Sequence, residues 1–441
     1  MLTTLKNAWH IPDIRKKLLF TFFIIVIFRM GSAIPVPYIN LAALEMMFGA
    51  YEGTLLGYFN ILSGGALSQA TIFAMSISPF INASIIIQLL SVAIPYLERL
   101  AKEGGEEGRK KIAQITKYTA LVIAFIQAYG YYTLLSSQGL VYGTGFLQAL
   151  VIILTLVAGT ALLMWLGDRI TERGVGNGTS MILFTGIVAS LPSMGAQIYY
   201  LIQNAVVNAY YGTLSGIDVF YALLGVFAFV LFIGIVAFVV VMNTAERRIP
   251  INYAKRVVGR KMMGGQNTHL PIKVSASGVM PIIFASSIVS LPGTLAIFFG
   301  SGEEGSVWSI IVSLMQQTSL IYIVVFFLFI IAFSYFYAAM QFNPIEIANN
   351  LKKNGGFIPG FRPGKPTTDF IAKVLSKVTF VGAMFLGVLA TLPLILGALF
   401  PVLSNMALGG TSVVIMVGVA LETMRQIESQ MMMKHYKGFL E

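Results

Sequence analysis

Residues 219–242 read Val-Phe-Tyr-Ala-Leu-Leu-Gly-Val-Phe-Ala-Phe-Val-Leu-Phe-Ile-Gly-Ile-Val-Ala-Phe-Val-Val-Val-Met without a charged side chain, and Glu246-Arg247-Arg248 stands just beyond them. Wound as a helix, such a run crosses a hydrocarbon layer about 30 Å thick. The whole chain shares the bias: 57% of it is hydrophobic and 11% charged, against about 25% charged in a soluble domain. A larger core does not remove that deficit, because a soluble protein must still cover its surface. In lipid each backbone amide has to be paired within its own segment, so helices are the expected spanning form. The alternating strands of an outer-membrane barrel are absent.

Apolar runs broken by charge place ten spans near 18–37, 71–95, 112–135, 146–168, 178–197, 217–243, 274–299, 308–340, 373–397 and 410–431. The first ends in Val36-Pro37-Tyr38-Ile39-Asn40 rather than at a small-residue cleavage site, and reads as a retained span. The fourth and fifth are separated only by the polar stretch Gly167 to Gly174.

The 29 basic residues sort sharply among the loops. They lie in the N-terminal tail, in the connections between spans two and three, four and five, six and seven, and eight and nine, and at the C-terminal end; Arg29 is left inside a span. Loops at 38–70, 136–145, 198–216, 300–307 and 398–409 hold no lysine or arginine. The positive-inside rule then puts both termini and every basic loop in the cytosol. Ten spans with both ends on one side is self-consistent, so the charge sorting checks the count. The net charge of +11 is explained by orientation and by attraction to anionic lipid. With no cysteine, and with His10, His269 and His435 far apart, neither disulfides nor a metal centre is expected.

Three stretches are unusual for membrane packing. Residues 55–69, with Asn60, Ser63, Gly64 and Gly65, are too polar to span and too apolar for a free loop. They suit a short helix re-entering the membrane, or one lying on its outer interface. From Glu246 to Pro271 the connection is long; its Ile249–Tyr253 content suggests a protruding hairpin with a basic tip, a plain solvated loop being the alternative. Asn343 to Lys353 reads as a short helix stopped at Gly355-Gly356, followed by a Pro/Gly arch that holds Arg362 at its tip. A guanidinium framed in this way suits carboxylates or phosphates on a partner.

These stretches, with Phe28-Arg29-Met30-Gly31, Gly-Gly-Ala-Leu-Ser at 64–68, Glu-Glu-Gly-Arg-Lys-Lys at 106–111, Asn-Tyr-Ala-Lys-Arg at 252–256, Thr-His-Leu-Pro at 268–271 and Pro-Gly-Phe-Arg-Pro-Gly at 359–364, resemble the SecY/Sec61-alpha family along the whole chain. The resemblance implies an all-α integral membrane protein, a clamshell of two inverted, pseudo-symmetric five-helix halves, here 1–205 and 206–441. Cytosolic loops would fall at about 244–273 and 341–372. Between the halves the family has a pore closed by a plug, which 57–69 resembles. Its waist ring falls on Ile77, Ile81, Leu183, Ile283 and Ile415, with Thr179 where isoleucine is usual. A lateral gate falls on the seam of spans two and seven, with Gln127 and Ser275 supplying polar contacts. Lys255, Arg256, Arg260, Lys261 and Arg362 resemble the docking surface for the SecA motor ATPase or the ribosome.

The function so implied is a protein-conducting channel of the bacterial cytoplasmic membrane. It passes unfolded secretory polypeptides, releases membrane segments laterally, and works with the small subunits SecE and SecG. No phosphate loop, metal cluster or nucleophile–base set is visible, so neither enzyme activity nor a cofactor is expected. A secondary solute transporter, or an accessory member of the same family serving dedicated substrates, are the alternatives. Transporters usually keep ionisable groups at mid-membrane, and here Arg29, Asp218 and Glu422 are the few candidates.

Overall fold

The structure, a computed structural model, describes residues 2–50, 60–61, 63–102, 104–143, 145–211, 216–253, 256–258, 261–263, 267–275, 278–299, 306–316, 319–400 and 410–437. An N-terminal helix α1 (Leu2–His10) leads into α2 (Pro12–Gly31), and α3 (Leu41–Ala50) lies beyond it. Then come α4 (Ser78–Ala93), α5 (Pro95–Lys102), α6 (Gly105–Ser137), α7 (Phe146–Arg173), α8 (Gly178–Tyr210) and α9 (Gly216–Thr244). Strands β1 (Glu246–Tyr253), β2 (Arg256–Val258), β3 (Lys261–Met263) and β4 (Asn267–Lys273) follow. The chain continues through α10 (Met280–Val289), α11 (Leu291–Phe299), α12 (Val307–Leu314), α13 (Leu320–Gln341), α14 (Pro344–Lys353), β5 (Gly356–Phe357), α15 (Lys365–Leu399) and α16 (Gly410–Lys437).

Among the described residues, α6, α7, α8, α9, α13 and α15 are each long and apolar enough to cross a membrane, and the bent pair α4–α5 makes a seventh. The other three spans read from the sequence coincide with α2, the α10–α11 pair and α16. These fall short as single apolar windows for local reasons. Asp13, Arg15, Lys16 and Lys17 crowd one end of α2, Pro292 follows the break between α10 and α11, and α16 ends in polar turns. Exposed rows such as Phe22, Phe23, Phe227, Val230 and Leu328 face outward, as lipid contact requires.

Several boundaries differ from the sequence reading: the first span is Pro12–Gly31 rather than 18–37, the third begins at Gly105 rather than 112, the fifth runs to Tyr210 rather than 197, and the ninth begins at Lys365 rather than 373. The second span begins at Ser78, not near residue 71, because 63–77 form consecutive turns. The eighth begins at Leu320: the break after α12 carries Gln316 and Ser319, and the Ser319 hydroxyl caps the new helix by accepting from the Ile321 amide. At Ile94-Pro95 the chain turns by 105° from α4 into α5, as expected where a proline has no amide to donate and forces the preceding residue out of the helical region. Spans four and five are separate helices joined at 174–177, where Gly176 has φ +88° and the Asn177 carboxamide caps the amides of Thr179 and Ser180.

Helix packing divides into two sets. On one side α6 packs against α4 and α7, and α7 against α2. On the other α13 packs against α10 and α15, and α16 against α15 and α9. The sets meet along two seams. At one, the α8–α9 hairpin and α16 pack together; at the other, α11 lies on α6. Near the chain ends Lys17 donates to the Gln430 carboxamide at 3.1 Å, and Ala8, Ile14, Val175 and Ile427 are buried in one cluster. Helix α1, the C-terminal part of α16 and the 174–177 turn therefore share one end of the bundle.

Candidate functional site

Five aliphatic positions named from the resemblance fall in two apolar clusters. Ile77 and Leu183 are buried with Phe28, Phe73 and Leu163. Ile415 is buried with Phe284, Phe326 and Val414, and Ile283 packs against that group. Ile81 and Met181 touch both clusters, so a continuous apolar layer runs from one helix set to the other. Thr179 is only partly buried.

Just beyond this layer lies a knot of tight turns, of which residues 57–59 and 62 are outside the described residues. The Asn60 carboxamide oxygen accepts from the Ser68 amide at 2.9 Å, and the Asn60 carbonyl accepts from the Gly65 amide and the Ser63 hydroxyl. Ser63 Oγ in turn accepts from the Leu67 amide at 3.1 Å. Gly64 and Gly65 have φ of +68° and +86°, conformations that L side chains resist. Gly64 also lies so close to α8 that a Cβ would sit 3.0 Å from the Gly186 carbonyl oxygen. Two side chains of spanning helices hold the knot by its main chain. Tyr131 of α6 donates to the Leu67 carbonyl at 2.9 Å, and Arg29 of α2 to the Gly64 carbonyl at 3.3 Å. Gly186 is one turn along α8 from Leu183, and the turns run directly into Ile77. Among the described residues of the segment, 60–61 are helical and 63–70 form consecutive turns whose main chain is held by α2, α6 and their own side chains, so this part is not a free loop.

Gln127 is half-buried on α6. Ser275 lies in the turn between β4 and α10, its hydroxyl buried and without a hydrogen-bond partner among the described residues. The turn packs on α15, where a Cβ at Gly382 would meet the Val274 carbonyl. No hydrogen bond joins Gln127 to Ser275. Across the same seam the polar pair is a different one: Tyr337 of α13 donates to Gln88 Oε1 of α4 at 2.6 Å. Sequence reading had no signal for it, since 249 residues separate the partners.

The basic loops form one module. β1 pairs with β4 from Glu246↔Lys273 to Asn252↔Asn267, and an inner ladder joins Arg256↔Met263 through Val258↔Lys261. Lys255 and Arg260 lie outside the described residues. β5 adds to the other edge of β1 through Asn252↔Phe357 and Tyr253↔Gly356. Beneath the sheet Ile249, Ile251, Ile272, Ala348, Leu351, Ile358, Ile371 and Leu375 are buried together. α14 begins at Asn343, whose carboxamide accepts from the Ile345 and Glu346 amides, and ends before Gly355 at φ +68°. Arg362 is exposed between Gly360 and Gly364, both at positive φ, and its carbonyl accepts from the Thr367 hydroxyl at 2.8 Å. The joining of the two loops by β5 was not foreseen, because a two-residue strand carries no periodicity.

A family model described as SecY matches residues 71–424. The protein translocase subunit SecY of Halalkalibacterium halodurans is 43% identical over 446 residues, covering 100% of each chain. A solved structure described as that of a protein conducting channel superposes with a TM-score of 0.63 at 17% identity, covering 95% of this chain and 92% of the other. Sec61 in the canine ribosome–channel complex from the endoplasmic reticulum gives a TM-score of 0.59 at 16% identity with the same coverage.

Proposed function

The chain belongs to the SecY family, and from that premise we propose that it is the polypeptide-conducting subunit of a protein translocase, carrying unfolded chains across a membrane and releasing apolar segments sideways. It is a multi-pass membrane protein. The observation that carries the reading is the knot at 60–70, packed one turn from Leu183 and running into Ile77 where the two apolar clusters meet. In this reading 1–205 and 206–441 are the halves of the clamshell. Ile77, Ile81, Leu183, Ile283 and Ile415 form a collar that dewets and so resists ions, yet yields to a passing chain because it is built of side chains alone. The knot around Asn60, Ser63, Gly64 and Gly65 is the plug. The seam bounded by α4, α6 and the α10–α11 pair, with Gln127 and Ser275 near it, is the lateral gate. There an arriving segment partitions into lipid by its own hydrophobicity.

The module with Lys255, Arg256, Arg260, Lys261 and Arg362 docks a partner dense in carboxylate or phosphate, the SecA motor or the ribosome. Such binding weakens with salt. The chain itself supplies no energy and is not an enzyme. SecE and SecG are its membrane partners, anionic lipid its surroundings, and a bacterial cytoplasmic membrane with both termini cytosolic its setting.

Bacterial cells depleted of their own channel subunit test this. The wild-type chain restores processing and export of a secreted reporter. Arg362→Glu, present in the membrane at the same level, does not, since it reverses the charge at the tip of the arch. Continued precursor accumulation with the wild-type chain would sink the reading; full export by Arg362→Glu would remove the docking assignment alone.

A further inference from the structure

Helix α8 has 33 residues, a length of about 50 Å, against a hydrocarbon layer of about 30 Å. The part from Ile198 to Tyr210 therefore continues past residue 197, where hydropathy ends the fifth span. One face of that part is packed. Ile198 is buried with Leu224 and Ala228 of α9, and Leu201 and Ile202 lie against them with Phe400. The other face is open: Tyr199, Tyr200, Tyr210 and Tyr211 are 62%, 61%, 86% and 73% exposed. Between them Gln203, Asn204, Val206 and Val207 are also exposed, at the three- and four-residue spacing that keeps one helix face. The Tyr211 amide donates to the Val207 carbonyl at 3.0 Å, so the stripe stays helical to its end. Its tyrosines pair edge to face, with ring centroids 6.2 Å apart at 199–200 and 5.4 Å apart at 210–211. No charged side chain occurs from Gly174 to Ile217.

We propose that this stripe seats the far end of the α8–α9 hairpin in the headgroup layer of the outer leaflet, with lipid as its partner. The proposal rests on the sidedness reading given above: the 174–177 turn is at the cytosolic end, so Tyr210 is at the outer one. A soluble domain carries about 25% charged residues, and a packed, uncharged stripe of four tyrosines and two valines is not built for water. It is not built for hydrocarbon either, because its hydroxyls and carboxamides would go unpaired there. The headgroup layer meets both requirements. Tyrosine lays its ring against acyl chains and puts its hydroxyl among ester and phosphate oxygens, and Gln203 and Asn204 find water and ester carbonyls between them. A soluble protein is the poorer occupant, since nothing in the stripe offers a charge to steer or align it. Exposed Phe220, Leu223 and Phe227 carry apolar surface along α9 from the same end, so lipid contact already reaches that far. A helix too long for the layer is accommodated by leaning. Seating the stripe thus fixes the lean of α8, the helix that carries Leu183 and meets Gly64 at Gly186.

The test reconstitutes the full chain in phosphatidylcholine vesicles after Trp9, Trp165 and Trp308, its three tryptophans, are replaced by phenylalanine. One tryptophan is then returned as Tyr200→Trp, Tyr210→Trp or, along α9, Phe227→Trp. Lipid brominated beside the headgroup or at mid-chain quenches on contact, and iodide on both sides reports water. Tyr200→Trp and Tyr210→Trp are expected to lose most light to bromine beside the headgroup, and Phe227→Trp to bromine at mid-chain. A second readout needs no tryptophan replacement and uses intact cells. There Tyr210→Cys is expected to react with an impermeant thiol reagent about tenfold more slowly than Met46→Cys, because partial removal from water raises a thiol pKa by about one unit. Iodide quenching of Tyr210→Trp without bromine quenching would put the stripe in water and overturn the proposal. Quenching by neither would mean that protein, a second copy included, covers it, and equal thiol rates at 46 and 210 would count against the seat as plainly. Reaction of Tyr210→Cys only in broken cells would invert the sidedness reading instead. Were Phe227→Trp also untouched by every brominated lipid, the membrane-spanning reading itself would fail, and the seat with it.

Discussion

Gly64 and Gly65 are neighbours in the chain with similar backbone, yet a methyl group meets different surroundings at each. Left-handed backbone costs an L residue about 1–2 kcal/mol, and both positions carry that cost when substituted. At Gly64 the new Cβ also lies 3.0 Å from the Gly186 carbonyl oxygen, whereas at Gly65 no atom stands within 4 Å. Gly65→Ala is expected to raise resting ion leak in planar bilayers about fivefold, the effect of the backbone cost alone at its lower end. Gly64→Ala is expected to raise it by more than tenfold, because α8 cannot move its own backbone cheaply. Equal leaks from the two variants would remove the close approach to α8 as a seating contact. The glycine pair itself was legible in the sequence, since Gly-Gly within a polar, apolar-flanked segment calls for unusual backbone. Its neighbour Gly186 was not legible, and neither was Tyr131. Arg29 was noticed as the one cation away from the basic loops, and it does engage locally, at the Gly64 carbonyl.

At the scale of elements, hydropathy located the helices and misplaced several of their ends, most tellingly the start of the second span. Residues 71–77, Thr-Ile-Phe-Ala-Met-Ser-Ile, are as apolar as a span, and nothing in their composition separates a buried turn from a helix. The structure shows what makes the turns tenable. Main-chain groups are satisfied by bonds such as Ile72 amide to Ile34 carbonyl and Val36 amide to Ala70 carbonyl, at 3.0 and 2.8 Å. Glycines open the neighbouring helices to them: a Cβ at Gly31 would collide with the Phe73 ring, and one at Gly159 with the Ile72 carbonyl. Non-helical backbone inside a membrane protein is stable only where it is enclosed in this way. Removing residues 60–66 takes away the Asn60 caps, both glycines and the Arg29 contact while leaving the Ile77 end of the turns in place. Purified channels carrying that deletion are expected to conduct ions at rest, and wild-type channels to stay closed. Unchanged resting conductance would mean that the apolar collar seals alone and that the knot is not a plug.

For the whole molecule, the sequence was most informative about sidedness and least about contact. Charge sorting needs only a count of lysines and arginines between apolar runs, and its parity agrees with the end-to-end meeting of α1, the 174–177 turn and α16. The seams between helix sets depend on which faces meet, which no periodicity within one helix discloses; the β1–β5 pairing and the Gln88–Tyr337 bond were therefore unreadable. Sidedness is nevertheless the premise on which docking stands, because a motor or ribosome reaches the basic module only from the cytosol. The chain has no cysteine, so single introduced thiols report cleanly. A membrane-impermeant thiol reagent added to intact cells is expected to label Met46→Cys and Tyr142→Cys, both strongly exposed near the loops that lack basic residues. It is expected to leave Thr268→Cys and Lys353→Cys unlabelled until the cells are broken. Labelling of position 268 or 353 from outside would put β4 and α14 on the wrong face. Arg362 would then point away from every cytosolic partner, and a charge distribution that orients ten spans so consistently would need another cause.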